Sequence, residues 1–163
     1  SLILPSIRTG AEARRFIEFA KFHPEGERAL GMYGVPDLLE ACANANANTL
    51  LGLIIETPEA LENLDEILIP GIDVVWLGHT DYSHLLGIAG QFDHPKITEA
   101  RDRVRAMCQT KGIAFCEWAL PPTPSKVKSL LENGIRWIAY GSDLWFLESQ
   151  ARNGVEEIAA WRG

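Results

Sequence analysis

Two acids in this 163-residue chain stand where apolar runs end. Residues 50–55, Leu-Leu-Gly-Leu-Ile-Ile, lead into Glu56, and residues 74–78, Val-Val-Trp-Leu-Gly, lead into a loop that holds Asp81. A nearly continuous Val/Ile/Leu run predicts a strand buried on both faces, as in a parallel sheet covered by helices. Such sheets carry their chemistry at the carboxyl ends of the strands. An acid there keeps its charge only with a partner, and two acids converging on one mouth point to a hard divalent cation such as Mg²⁺ or Mn²⁺. The competing reading of the same residues is that Glu56 caps the next helix and Asp81 is an ordinary loop acid.

The elements that must position these acids alternate along the whole chain. Residues 2–4 predict a strand ending at Pro5, and residues 10–22 a helix, since Ala13, Phe16, Ile17 and Ala20 recur at helical spacing. Glycines and Pro24 make residues 23–35 a long loop. A second helix is expected over 36–47, and Thr57-Pro58-Glu59 begins a third that runs to about Leu68. The strand at 73–77 is followed by a Gly-containing loop through Asp93, and then by the longest helix, from Pro95 to Gly112. A strand at 113–116, a helix from Thr123 to about Gly134, a strand at 137–140 and two helical stretches, 144–147 and 155–161, complete the pattern. No linker interrupts it, so the expectation is a single α/β domain over 1–163 with about five β-α units. A closed (β/α)₈ barrel takes roughly 200 to 250 residues, so the expected fold is the carboxyl-terminal portion of such a barrel.

Composition narrows the function. The chain is 47% hydrophobic with a net charge of −7, and its Lys and Arg residues are scattered, which argues against a nucleic-acid partner. Nothing approaches the roughly 20 apolar residues that span a bilayer, and no signal peptide precedes the first strand, so a cytoplasmic location without a membrane partner is expected. Cys42, Cys108 and Cys116 lack CxxC spacing and read as reduced and packed. The first residue is Ser1 and a strand follows at once. The expectation is that the natural protein continues upstream or that a partner covers that strand.

Residues 53–83 resemble the HpcH/HpaI aldolase family, the metal-dependent class II pyruvate aldolases, which includes citrate-lyase-like members. Ile3-Leu4-Pro5 with Thr9, Glu12 and Ala13 is similar to the family's strand ending in Pro and its next helix. Pro24, Gly26 and Arg28 match its Pro-x-Gly-x-Arg loop, and Ala45-Asn46 its Ala-Asn pair. Ile55-Glu56-Thr57 resembles the metal-binding Glu segment, and Gly78-His79-Thr80-Asp81-Tyr82-Ser83 the Gly-Pro-x-Asp-Leu-Ser loop. Gly87, Gly90, His94-Pro95 and Gly141-Ser142-Asp143 follow in order.

The resemblance implies a (β/α)₈ TIM barrel of the phosphoenolpyruvate/pyruvate type. It implies a lyase that cleaves or forms a 2-keto-hydroxy acid through a pyruvate enolate. Carried over, Glu56 and Asp81 are the metal ligands, for Mg²⁺ or Mn²⁺ with Co²⁺ or Zn²⁺ as alternatives, and backbone N–H groups of Gly78 and Thr80 through Asp81 bind the keto-acid carboxylate. The family's general-base His and substrate Arg would lie upstream of Ser1. His79, which stands where the family has Pro, is the one candidate base here, against a packing role. Ile54 replaces the family's Gln, and Tyr82 its Leu. Partners implied are a small 2-keto acid and further copies of the chain as a homo-oligomer, trimeric or hexameric, with the apolar 144–147 stretch on a neighbour, or else the missing barrel segment. Two alternatives stay open: an oxaloacetate-type decarboxylase using the same metal site, and a non-catalytic fragment or accessory subunit. Arg28 reads either as a contact to an anionic substrate or as half of an ion pair. The five tryptophans read as core or interface anchors, and Glu117 and Asp143 as further strand-end acids, with a helix-start role favoured for Asp143.

Overall fold

In the computed structural model, which describes residues 1–31 and 34–161, strands and helices alternate from the first residues on. Met32 and Tyr33 of the expected 23–35 loop lie outside the described residues. Strand β1 (Leu2–Leu4) runs into Pro5, and helix α1 (Gly10–Ala20) opens on a capping box. Glu12 N donates to Thr9 Oγ1 at 3.3 Å while Thr9 N donates back to Glu12 Oε2 at 3.0 Å. Helix α2 (Leu38–Asn48) starts at the Asp37 cap and delivers the chain to β2 (Leu51–Ile55), the apolar run before Glu56.

The expected single helix over 57–68 is two short ones, α3 (Pro58–Glu62) and α4 (Leu64–Ile67). The break falls at Asn63, whose backbone leaves the helical region at φ −91° and ψ 15° and whose side-chain N–H₂ donates to Arg8 O at 2.9 Å. That side-chain bond joins the bend between α3 and α4 to the turn after β1. After β3 (Val74–Leu77) the structure replaces the expected loop with helix α5 (His79–Leu85). Buried Tyr82 and Ser83 anchor it, and the Ser83 hydroxyl donates to Thr80 O at 2.8 Å while accepting Gly90 N–H at 3.2 Å. Helix α6 (Pro95–Lys111) ends on Gly112 at φ +70°, the left-handed cap that the glycine signals.

Strand β4 (Ala114–Trp118) extends past Cys116, so Glu117, expected from sequence to follow the strand, lies inside it. Then come α7 (Pro124–Glu132), β5 (Trp137–Ala139) and α8 (Asp143–Ala160). The two expected terminal helices are one, because Gly154 does not interrupt it. Asp143 sits in its first turn, after the Ser142 cap. No helix among the described residues is long and apolar enough to cross a membrane.

The strands form one sheet in chain order, β1-β2-β3-β4-β5, and each registered pair is parallel. The chain makes two compact units, Ser1–Cys116 and Glu117–Gly163. In the first, Leu51, Leu53, Ile55, Val74 and Val75 are fully buried, as strands covered on both faces require. In the second, Ala119 N donates to Ala139 O at 2.9 Å and the Tyr140 hydroxyl to Pro122 O at 2.8 Å.

The amino end of the first unit's strands is closed by polar groups. Lys21, buried, donates from Nζ to Asn46 O at 2.6 Å and Thr49 O at 2.9 Å, the exposed carbonyls at the end of α2. Asn46, also buried, receives Phe22 N–H at 2.7 Å and donates to Phe22 O at 2.8 Å. Asp73 Oδ2 accepts Leu51 N–H at 2.7 Å and ties the start of β2 to β3.

Candidate functional site

The β2–β3 register pairs Ile54 with Trp76 and Ile55 with Leu77, so both strands stop at one level. Glu56 is the next residue on β2 and Gly78 the next on β3. Gly78 N–H donates to Ile55 O at 2.9 Å and continues the ladder by one step. Glu56 is 6% exposed, and Thr57 immediately after it caps α3 by accepting Ala60 N–H at 3.0 Å. Its backbone is therefore fixed on both sides, by the ladder before it and the cap after it.

The two oxygens of the Glu56 carboxylate have different surroundings. Oε1 accepts Ser6 N–H at 2.6 Å and the Ser6 hydroxyl at 2.8 Å. Oε2 accepts no hydrogen bond among the described residues. It lies against Gly78, where a Cβ would stand 2.5 Å from Oε2 and 2.7 Å from Glu56 Cβ. Only glycine lets the carboxylate occupy this place. Ser6 itself has φ +55°, a left-handed conformation that costs a residue with a side chain roughly 1–2 kcal/mol. Bonds to a carboxylate, at roughly 1.5–3 kcal/mol each, offset that strain.

Asp81 lies in the first turn of α5, three residues past Gly78, and is exposed. The structure thus brings Glu56 and Gly78 into contact and sets Asp81 one short turn beyond, at the same end of the sheet. Gly78 is the N-cap of α5 and supplies no side-chain cap, so the N–H groups of His79, Thr80 and Asp81 have no partner within the helix. The Gly78 N–H, expected as an anion donor, is instead engaged by Ile55 O. Thr80 and Asp81 remain as backbone donors.

His79 packs edge-on to Phe92, with ring centroids 4.5 Å apart. Burial, and then the positive charge of Arg101, hold its pKa below the usual imidazole value, against an opposing backbone hydrogen bond at Leu77. Tyr82, the other departure in the loop, is 5% exposed, and burial raises its pKa. Arg28 stacks its guanidinium 4.7 Å over the Phe22 ring, a cation–π contact in its own loop. Ser6 went unnoticed in the sequence. The one signal available was its place just after the Pro that ends the first strand.

No group of three or more His, Cys, Asp or Glu side chains that could hold a metal occurs among the described residues. Glu56 and Asp81 are the acids that follow β2 and β3 at this end. An oxygen free of hydrogen bonds on a nearly buried carboxylate, at the end of the sheet where the exposed Asp81 lies in the first turn of α5, fits a hard cation whose other ligands are water or substrate.

The model of the HpcH/HpaI aldolase/citrate lyase family matches residues 1–149. The chain belongs to this family. An HpcH/HpaI relative from Salmonella paratyphi B (strain ATCC BAA-1250 / SPB7), named 4-hydroxy-2-oxo-heptane-1,7-dioate aldolase, is 31% identical over 173 residues, covering 98% of this chain and 61% of its own length. Among solved structures, the HpcH/HpaI aldolase from Desulfitobacterium hafniense DCB-2 superposes with a TM-score of 0.82 at 27% identity, covering 96% of this chain and 62% of that one. Macrophomate synthase superposes with a TM-score of 0.84 at 25% identity, covering 97% of this chain and 57% of that one. The chain therefore spans about three fifths of the length of the curated relatives it matches, 61% for the Salmonella aldolase.

Proposed function

We propose that this chain carries the metal-holding part of a carbon–carbon lyase, an aldolase that cleaves or forms a 4-hydroxy-2-keto acid. The observation that carries this reading is the Glu56 carboxylate, nearly buried at a strand end with one oxygen held by Ser6 and the other free beside the Asp81 turn. Glu56 and Asp81 would hold a divalent cation, Mg²⁺ or Mn²⁺ by the oxygen-only donor set. Members of the family generally depend on such a cation. When bound it would supply Lewis-acid stabilisation of the negative charge that develops on the keto oxygen as the carbon–carbon bond breaks. The N–H groups of Thr80 and Asp81, aimed out of the first turn of α5, would orient the keto-acid carboxylate. His79, packed on Phe92, would shape the pocket wall.

The fold reading is the carboxyl-terminal portion of a (β/α)₈ barrel, with residues 1–163 as one domain of it. Five β-α units of eight would be about three fifths of a barrel, in line with the 61% coverage of the Salmonella aldolase. Partners would be further copies of the chain, in a trimer or hexamer. Support comes from α8, where Leu144, Leu147 and Val155 are 70%, 71% and 67% exposed. A cytoplasmic location fits this role.

The test is pyruvate release from a 4-hydroxy-2-keto acid by the intact protein with and without Mn²⁺. Activity that depends on the cation and disappears in both Glu56→Ala and Asp81→Ala is expected. Full activity in either variant would refute the assignment.

A further inference from the structure

A buried carboxylate that served structure alone would be expected to spread its donors over both oxygens. Glu56 does the opposite: the Ser6 N–H and hydroxyl both go to Oε1, at 2.6 Å and 2.8 Å, and Oε2 receives nothing among the described residues. A carboxylate oxygen has two lone-pair sites, so Oε1 is saturated. The backbone at position 6 tells the same story. At φ +55° glycine would sit without strain, yet glycine has no hydroxyl, and the strained serine supplies the second bond. Gly78, too close to accept a Cβ, leaves room for Oε2 on the side where α5 begins.

We infer that Ser6 is a positioning residue that occupies Glu56 Oε1 with both of its donors and so reserves Oε2, as a single-oxygen ligand, for a divalent cation. The inference rests on the cation reading above and adds what sets the geometry of its first ligand. A carboxylate without these bonds could rotate and offer either oxygen or both, which loosens the site. Loss of a partner that orients a metal ligand typically lowers metal affinity about 10- to 100-fold.

The experiment titrates Mn²⁺ into the intact protein and follows the free-ion signal by electron paramagnetic resonance, with thermal unfolding of each variant measured alongside. Ser6→Ala removes the hydroxyl, and Ser6→Gly removes it while also relieving the strained φ. Both are expected to bind Mn²⁺ at least about 10-fold more weakly than the wild type, with Ser6→Gly, which sets the relieved strain against the lost bond, melting closer to the wild type than Ser6→Ala. A merely structural Ser6 would lower the melting temperature and leave affinity alone. Should Ser6→Ala fail to fold, Ser6→Gly carries the test. Wild-type Mn²⁺ affinity in Ser6→Gly, alongside lost binding in Glu56→Gln, overturns the role of Ser6 and leaves the cation reading standing. No saturable Mn²⁺ binding in the wild type, or unchanged binding in Glu56→Gln, overturns the cation reading and this inference together.

Discussion

The two ends of the strands in the first unit are built to opposite rules. At the amino end, Lys21, Asn46 and Asp73 are all matched to backbone partners, and Lys21 Nζ alone satisfies two carbonyls. At the carboxyl end a nearly buried acid keeps one oxygen free, a neighbouring residue is held in a strained conformation, and the next strand gives up its side chain to make room. Asp73, like Glu56, engages one carboxylate oxygen, but Asp73 is exposed and ties two strands together. Glu56 is nearly buried, and its bonded oxygen reaches only the Ser6 turn among the described residues. The difference is the one expected if the amino end serves folding and the carboxyl end, as proposed, serves binding.

Substitutions at each end can break that contrast. The largest effect is expected from Glu56→Gln, which keeps the shape but removes the charge. Cation-dependent activity should fall by more than about 100-fold, beyond the range for loss of an orienting partner, while circular dichroism and melting stay close to wild type. Gly78→Ala should follow, with activity down about 10- to 100-fold, because its Cβ would stand 2.5 Å from Glu56 Oε2 and displace the carboxylate. Normal kinetics in that alanine variant would show that Oε2 does not need its place.

At the other end, Lys21→Met should act on stability and not on chemistry. It leaves Asn46 O and Thr49 O without their donor, and chemical denaturation should report a loss of about 1–3 kcal/mol with activity per folded molecule unchanged. Cys108 offers a pH readout within the same core. Burial pushes its thiol up to about 12 from an ordinary value near 9.0, so the folded state holds that proton more tightly than the unfolded chain does. Its contribution to stability is complete below about pH 9 and is lost as the pH rises toward about 12. Denaturation series across that window should show a steeper loss in the wild type than in Cys108→Ala. The smallest effect is expected from Arg152→Ala on α8, where an exposed pair with Glu148 at 2.7 Å should contribute no more than about 0.5 kcal/mol.

Much of this contrast was legible in the chain before any coordinates. Apolar runs marked β2 and β3, Thr57-Pro58 marked a helix start, and Gly112 marked a helix end, since each is a local effect of side-chain type on backbone geometry. Glu56 and Asp81 stood out by position alone, while Gly78 entered only through the family resemblance. Helix α5 was missed because its residues lack helical periodicity and are held by packing at Tyr82 and Ser83. The bend at Asn63 is tied to Arg8, 55 residues away, and Ser6 to Glu56, 50 residues away. Pairings at that distance leave no local trace in sequence. The occupation of the Gly78 N–H by Ile55 likewise follows from register, which an unpaired strand does not reveal.

The crowding at Gly78 also sets how this chain tolerates mutation. Every missense change of a glycine codon adds at least one carbon, and here that carbon meets the Glu56 carboxylate head-on. The same carbon would stand 2.8 Å from Ile54 Cγ2, so in a saturation screen position 78 should lose activity first with alanine and lose folded protein as well with larger side chains.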